Sequence, residues 1–180
     1  MKRRLLSAEE IAHIIHRLSE EVAQKNPDIE QLVLVGIQRR GVPLAARLAR
    51  KLSGRTGTEP PVGSIDITLY RDDLQLIAET PLVRGSSINF DINGRRVVLV
   101  DDVIFTGRTA RAALTELLDF GRPQVVQLLV LVDRGHRELP IQPDFTGLRI
   151  ETERNDLVDI FLSEVDGRDE VLITRRSGGG

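Results

Sequence analysis

The chain has 180 residues, enough for one domain of ordinary size and too few for two full cores. Hydrophobic residues make up 41% and charged residues 29%, a globular balance, and 25 basic against 27 acidic residues leave a net charge of −2, which excludes a uniformly basic nucleic-acid coat but not a local basic patch. There is no cysteine, and the histidines are His13, His16 and His136, so disulfides, cysteine-ligated zinc and a cysteine nucleophile are excluded and a multi-histidine metal site is disfavoured.

The N-terminal sequence MKRRLLSAEEIAHIIH turns charged too early to hold a signal peptide's apolar core. Ser7-Ala8-Glu9-Glu10 reads as a capping box, and Ile11, Ile14, Ile15, Leu18 and Val22 follow at helical spacing, which predicts a helix to about Lys25, ended by Pro27. Leu32–Ile37 is a continuous apolar run, as in a parallel strand covered on both faces. Pro43 fits the first turn of a second helix that continues over Leu44–Leu52. Ser53–Gly63 is a Gly/Pro/Thr-rich connection, and Ile65–Tyr70 alternates like a strand. Arg71–Asn93 has no clear period, and a stretch that long in a small domain is read as a lid or a flexible hairpin.

Val97–Val100 is a second buried strand, followed by a helix over about Thr109–Phe120 with Gly121 at its C′ position. Val125–Val132 is a third strand; interrupted by Gln127, it is far too short for a ~20-residue membrane span. A soluble cytoplasmic protein is expected. Leu148–Ile150, Leu157–Leu162 and Val171–Thr174 are shorter strand candidates, and Ser177–Gly180 reads as a frayed tail. Alternating strands and helices give one domain over residues 1–180, with a doubly wound, mostly parallel α/β sheet.

Residues 97–109, VVLVDDVIFTGRT, are the most informative part of the chain. Asp101 and Asp102 sit at the carboxyl end of a buried strand, where open α/β sheets bind ligands. The Thr106-Gly107-Arg108-Thr109 turn opens a helix, whose free N–H groups and positive dipole end make an anion cradle. The pattern suits a ligand with hydroxyls beside a phosphate. A P-loop is the rival, but the Gly-x-x-x-x-Gly-Lys spacing is absent.

This segment resembles the phosphoribosyl-diphosphate (PRPP) signature of the type I phosphoribosyltransferases. Leu34–Gly41, Ile65–Asp73 and Val132–Pro140 are further similar to the bifunctional pyrimidine operon regulators that are also uracil phosphoribosyltransferases. The resemblance covers roughly residues 5–175 and implies the fold of that family, a mostly parallel sheet with a small hood and a flexible lid loop.

It also implies roles. Asp101 and Asp102 would hold the ribose hydroxyls, with Val103, Ile104 and Phe105 between them and the loop Thr106, Gly107, Arg108 and Thr109 around the 5′-phosphate. Arg39 and Arg40 would take the pyrophosphate, since guanidinium forks pair with phosphate. Mg²⁺ would enter with PRPP. Arg71, with a catalytic role, and Arg84 would close over PRPP as part of the lid. Arg134 and the segment around Val158 would read the base. Phe105 stands where the hypoxanthine-guanine branch carries an acid; an apolar residue exchanges no proton with a purine nitrogen, which favours uracil. A purine phosphoribosyltransferase without an RNA role is the alternative.

The same resemblance implies binding of a pyrimidine operon mRNA leader when UMP or UTP is bound, and a homodimer or larger homo-oligomer. Candidate RNA contacts are Lys2, Arg3, Arg4, His16 and Arg17 near the first helix, with Arg39, His136 and Arg137 from the loops. His13, between Ile11 and Ile14, reads as structural. The single tyrosine and absent tryptophan leave no aromatic stacking platform of the usual kind.

Overall fold

The computed structural model describes residues 1–67 and 85–176. In chain order these hold strand β1 (Lys2–Leu6), helix α1 (Ala8–Lys25), β2 (Leu32–Ile37), α2 (Gly41–Thr56), β3 (Val62–Ile65), β4 (Arg96–Ile104), α3 (Arg108–Leu118), β5 (Val125–Asp133), β6 (Phe145–Arg149), β7 (Leu157–Phe161), the single turn α4 (Ser163–Asp166) and β8 (Glu170–Thr174). Five strands form an all-parallel sheet in the order β3-β2-β4-β5-β6, and β1-β8-β7 form a separate antiparallel hood.

The continuous apolar runs are explained by burial on both faces. Leu34 of β2 and Val98 and Val100 of β4 point to a core shared with Ile11, Leu44 and Leu48 of α1 and α2. Their neighbours Val33, Val35, Val97 and Leu99 point the other way, onto Ala110, Ala113 and Leu117 of α3. Ser7 and Glu10 form the full reciprocal capping box at the start of α1.

Several boundaries differ from expectation. The strand expected over Ile65–Tyr70 is Val62–Ile65 where it can be seen, pairing with β2 from Leu34↔Val62 to Ile37↔Ile65. Helix α2 starts at Gly41, ahead of Pro43, and runs to Thr56, where Gly57 closes it in the left-handed region at φ +81°. Helix α3 ends at Leu118 with Asp119 as its cap, short of Phe120, so Gly121 is not its C′ residue. Gly121 is instead a close approach: a Cβ there would lie 2.9 Å from Asn93 Oδ1. Strand β1 had no alternation to betray it; Lys2, Arg3 and Arg4 are exposed on an edge strand held by β8. Arg71, Arg84, most of the aperiodic stretch and the Ser177–Gly180 tail lie outside the described residues.

Candidate active site

The chain leaves β2 outward to β3, then returns to β4 on the other side of β2. The carboxyl ends of β2 and β4 therefore flank a topological switch point, the usual crevice for ligands in such sheets. Two glycines bring the loops there into contact. A Cβ on Gly36 would lie 2.5 Å from the Gly41 carbonyl oxygen, and one on Gly41 would collide with the Val100 carbonyl oxygen, one residue before Asp101. The loop between them holds a cis Gln38–Arg39 peptide. Gln38 Nε2 donates to the Gly85 carbonyl at 2.7 Å, and Arg39 is exposed.

Asp101 is buried and its Oδ1 accepts the Asp102 N–H at 2.8 Å, while Asp102 Oδ1 accepts the Val103 N–H at 2.8 Å. Both carboxylates are thus folded back onto the strand end. Beyond them Gly107 takes φ +94° and, having no side chain, cannot itself cap α3; the Arg108 N–H donates to Thr106 Oγ1 at 3.3 Å, and the first-turn N–H groups lie outside the intrahelical ladder. A cavity of about 160 Å³ lies against Asp101, Phe105, Thr106, Gly107 and Thr109.

The loop after β5 braces this turn from behind. The Glu138 and Leu139 N–H groups donate to the Thr106 carbonyl at 2.9 and 3.2 Å, and Arg134 N–H donates to Ile104 O at 3.2 Å. Arg108 Nε donates to Glu138 Oε1 at 3.2 Å, and Glu138 is also paired with Arg154. Those guanidiniums, Arg154 first, hold the Glu138 carboxyl below the usual carboxylate range.

Arg137 turns inward. Its guanidinium donates to Phe105 O (2.7 Å), Ile141 O (2.9 Å), Asp133 Oδ2 (2.7 Å) and Gln142 Oε1 (3.1 Å). An RNA contact through this group would have to give up those bonds. His136 also faces the protein: Nε2 lies 2.6 Å from Thr152 O and its ring meets Phe105 edge-on at 5.6 Å.

Arg134 is 7% exposed, donates to the carbonyls of Asp156 (2.9 Å), Glu153 (3.1 Å) and Arg154 (3.4 Å), and sits 4.1 Å over the Phe105 ring. Burial pulls its pKa below the usual arginine value, and among the described residues its Nε has no hydrogen-bond partner. Phe105 is therefore held by cation and imidazole contacts, and Arg134 shapes the wall mainly through backbone carbonyls. Val158 of the hood packs into the same apolar cluster as Val103.

Arg40 reaches across to the hood, where Nε and Nη2 donate to the two carboxylate oxygens of Asp166 at 3.0 and 2.8 Å. The hydrogen bond to Asp166 raises its pKa, with the charges of Asp166, Asp102 and Asp159 acting in the same direction. Among the outer RNA candidates, His16 pairs with Glu20 at 3.6 Å, Arg17 pairs with Glu21 at 2.9 Å and donates to Gly147 O at 2.5 Å, and Arg4 is exposed on β1.

Sequence reasoning passed over Gln38, Asp133, Glu138 and Asp166. Asp133 carried a usable signal, an acid ending a buried strand. Asp166 carried none, since its partner lies 126 positions away.

A model of the phosphoribosyl transferase domain matches residues 2–160. The bifunctional protein PyrR of Acetivibrio thermocellus is 49% identical over 173 residues, covering 96% of this chain and 94% of the relative. The chain belongs to the PyrR family of phosphoribosyltransferases. The PyrR of Thermus thermophilus is 51% identical over 177 residues, covering 98% of both chains, and that of Deinococcus radiodurans 50% over 170 residues, covering 94% and 93%. Among solved structures, hypoxanthine phosphoribosyltransferase of Trypanosoma cruzi superposes with a TM-score of 0.73 over 97% of each chain at 19% identity, a likeness of fold. The PyrR relatives span the hood as well as the parallel sheet, so both layers belong to what is shared.

Proposed function

We propose that this chain transfers the phosphoribosyl group of PRPP to uracil, giving UMP and pyrophosphate, and that it binds a pyrimidine operon mRNA leader in response to UMP or UTP, attenuating transcription. The observation that carries the enzymatic half is the switch-point crevice, where two strand-end carboxylates, a helix N-terminus opened by Gly107 and a glycine-pinned arginine loop converge. Membership of the PyrR family supports both halves.

In this reading Asp101 and Asp102 accept hydrogen bonds from the ribose hydroxyls. Thr106, Gly107, Arg108 and Thr109 receive the 5′-phosphate, and the 38–41 loop with Arg39 and Arg40 receives the pyrophosphate. Uracil N1 bonds to ribose C1 as the C1–oxygen bond to pyrophosphate breaks, and the N1 proton leaves to solvent. The transition state is oxocarbenium-like, so positioning and charge neutralisation do the catalysis and no side-chain nucleophile is called for. Val103 and Val158 offer apolar contact to the base, with Arg134 holding the loop that flanks it. Arg71 and Arg84 complete the assignment as the closing residues over PRPP.

The donor set fits substrate-borne magnesium: Asp101 and Asp102 stand side by side, and among the described residues no trio of acidic or histidine side chains forms an all-protein cage. Magnesium would neutralise the departing pyrophosphate. Among the described residues no helix is long and apolar enough to cross a membrane, and we place the protein in the cytoplasm as a homodimer or larger homo-oligomer.

The test is a pair of assays on the full chain. Uracil with PRPP should yield UMP, and UMP should tighten binding to a pyrimidine operon leader. Turnover of hypoxanthine or guanine in place of uracil would replace the substrate. RNA affinity indifferent to UMP would remove the regulatory half.

A further inference from the structure

Helix α2 carries two arginines that grip the hood. Arg40 stands at its N-terminal cap and holds Asp166 in a bidentate pair. Arg47, two turns along, donates to both oxygens of Asp169 at 2.8 Å, to Glu164 Oε2 at 3.0 Å and to Ser163 Oγ at 3.1 Å. Both grips fall on residues 163–169, the segment that joins β7 to β8. The two differ in what lies beside them. At 1.5 Å per residue Arg47 is about 10 Å further along the helix, out of reach of an anion at the 38–41 loop. Arg40 belongs to that loop.

Asp166 is held ready for the role of an internal anion. Its Oδ2 also accepts the Leu162 N–H at 2.8 Å, and its side chain is 15% exposed against 32% for Arg40. The pair is therefore placed where solvent and an incoming anion can reach the arginine but the carboxylate stays fixed. Pyrophosphate carries several negative charges against one on Asp166, so it is the stronger partner for the same fork.

We propose that Asp166 is a positioning residue that competes with pyrophosphate for Arg40: arrival of the anion at the 38–41 loop transfers Arg40 from the hood to the ligand, releasing one of the two grips while Arg47 keeps the other. The inference rests on the functional reading above, which puts pyrophosphate at that loop. A consequence is reciprocal coupling through that one pair: whatever weakens the Arg40–Asp166 grip strengthens pyrophosphate binding, and pyrophosphate weakens that grip, with the Arg47 grip left out of the exchange.

The test titrates inorganic pyrophosphate with magnesium into the wild-type chain, Asp166→Asn and Asp169→Asn. Asparagine keeps an acceptor for the Leu162 N–H and drops the charge. Asp166→Asn should bind pyrophosphate about fivefold more tightly, the size of one partly exposed ion pair. Asp169→Asn, acting on the Arg47 grip, should melt earlier with pyrophosphate affinity unchanged. In the wild type, pyrophosphate should speed amide hydrogen exchange over residues 162–167, and in Asp166→Asn exchange there should already be fast and indifferent to the ligand. Unchanged or weaker binding by Asp166→Asn, or wild-type exchange that does not respond to bound pyrophosphate, overturns the competition and leaves the functional reading standing. A wild-type chain that binds no pyrophosphate overturns both.

Discussion

Replacing Arg137 with alanine removes the side chain that ties the loop after β5 to the turn after β4. Four hydrogen bonds are lost at once, to Phe105 O, Ile141 O, Asp133 and Gln142. The Asp133 side chain is 4% exposed and, among the described residues, keeps only the Gly135 N–H at 2.9 Å and the exposed Arg149, 3.8 Å away. Leaving one member of a buried ion pair alone costs ~3–5 kcal/mol; because Arg149 can move closer, the low end applies, ~3 kcal/mol. For a chain of this size that lowers the melting temperature by about 6–12 °C. The Phe105 carbonyl is freed at the same time, so the 105–109 turn shifts and, with that turn proposed to hold the 5′-phosphate, the KM for PRPP should rise, since misplacement by about 1 Å is enough for a ~100-fold loss. Calorimetry at neutral pH and initial rates of UMP formation read the two effects. Lysine, a point charge, should rescue little of either. A melting temperature within about 2 °C of wild type, with unchanged KM and weakened RNA binding, would refute this reasoning and return Arg137 to the RNA surface.

Three further outcomes follow from the same geometry. Asp102→Asn keeps an acceptor for the Val103 N–H and should fold normally by circular dichroism, while UMP formation falls by at least ~100-fold; near-normal turnover would remove Asp102 from the site. Gly41→Ala drives a methyl into the Val100 carbonyl and should cost ~1–3 kcal/mol of stability together with PRPP binding, measured by melting and by titration. Glu164 and Asp169, through Arg47, and Asp166, through Arg40, all titrate below the usual carboxylate range. Their folded values lie below their unfolded ones, so the stability they add is complete above the unfolded value, about pH 4, and is lost as pH falls through the depressed values. Melting temperatures taken between about pH 6 and pH 3 should fall steeply for the wild type and less so for Asp169→Asn.

What the sequence makes legible is what local chemistry decides. The Ser7–Glu10 box, the apolar runs of β2, β4 and β5, and the 97–109 segment each carry their signal within thirteen residues or fewer, and each forms the expected kind of element. The hood was hard to read because its strands are short and β1 gains its extended form only by pairing with β8. The arginines show the same divide. The family resemblance offers Arg40 for pyrophosphate and Arg137 for RNA, but not their acidic partners, and those partners decide which donors point outward. Arg40 is shared with Asp166 and Arg137 is absorbed by Asp133 and Phe105 O, whereas Arg39 is exposed.

The hood closes the chain on itself: the Met1 amino group donates to Arg175 O at 3.1 Å and Arg175 N–H donates to Met1 O at 2.9 Å, 174 positions apart. On the ribosome β1 therefore emerges long before β8, and the parallel sheet can assemble while β1 still has no partner. Lys2, Arg3 and Arg4 keep that early strand charged, which guards an open edge against pairing with a neighbouring nascent chain. The antiparallel layer is thus the last to be completed during synthesis, and a chain stalled a few residues before β8 would hold a folded parallel sheet without its hood.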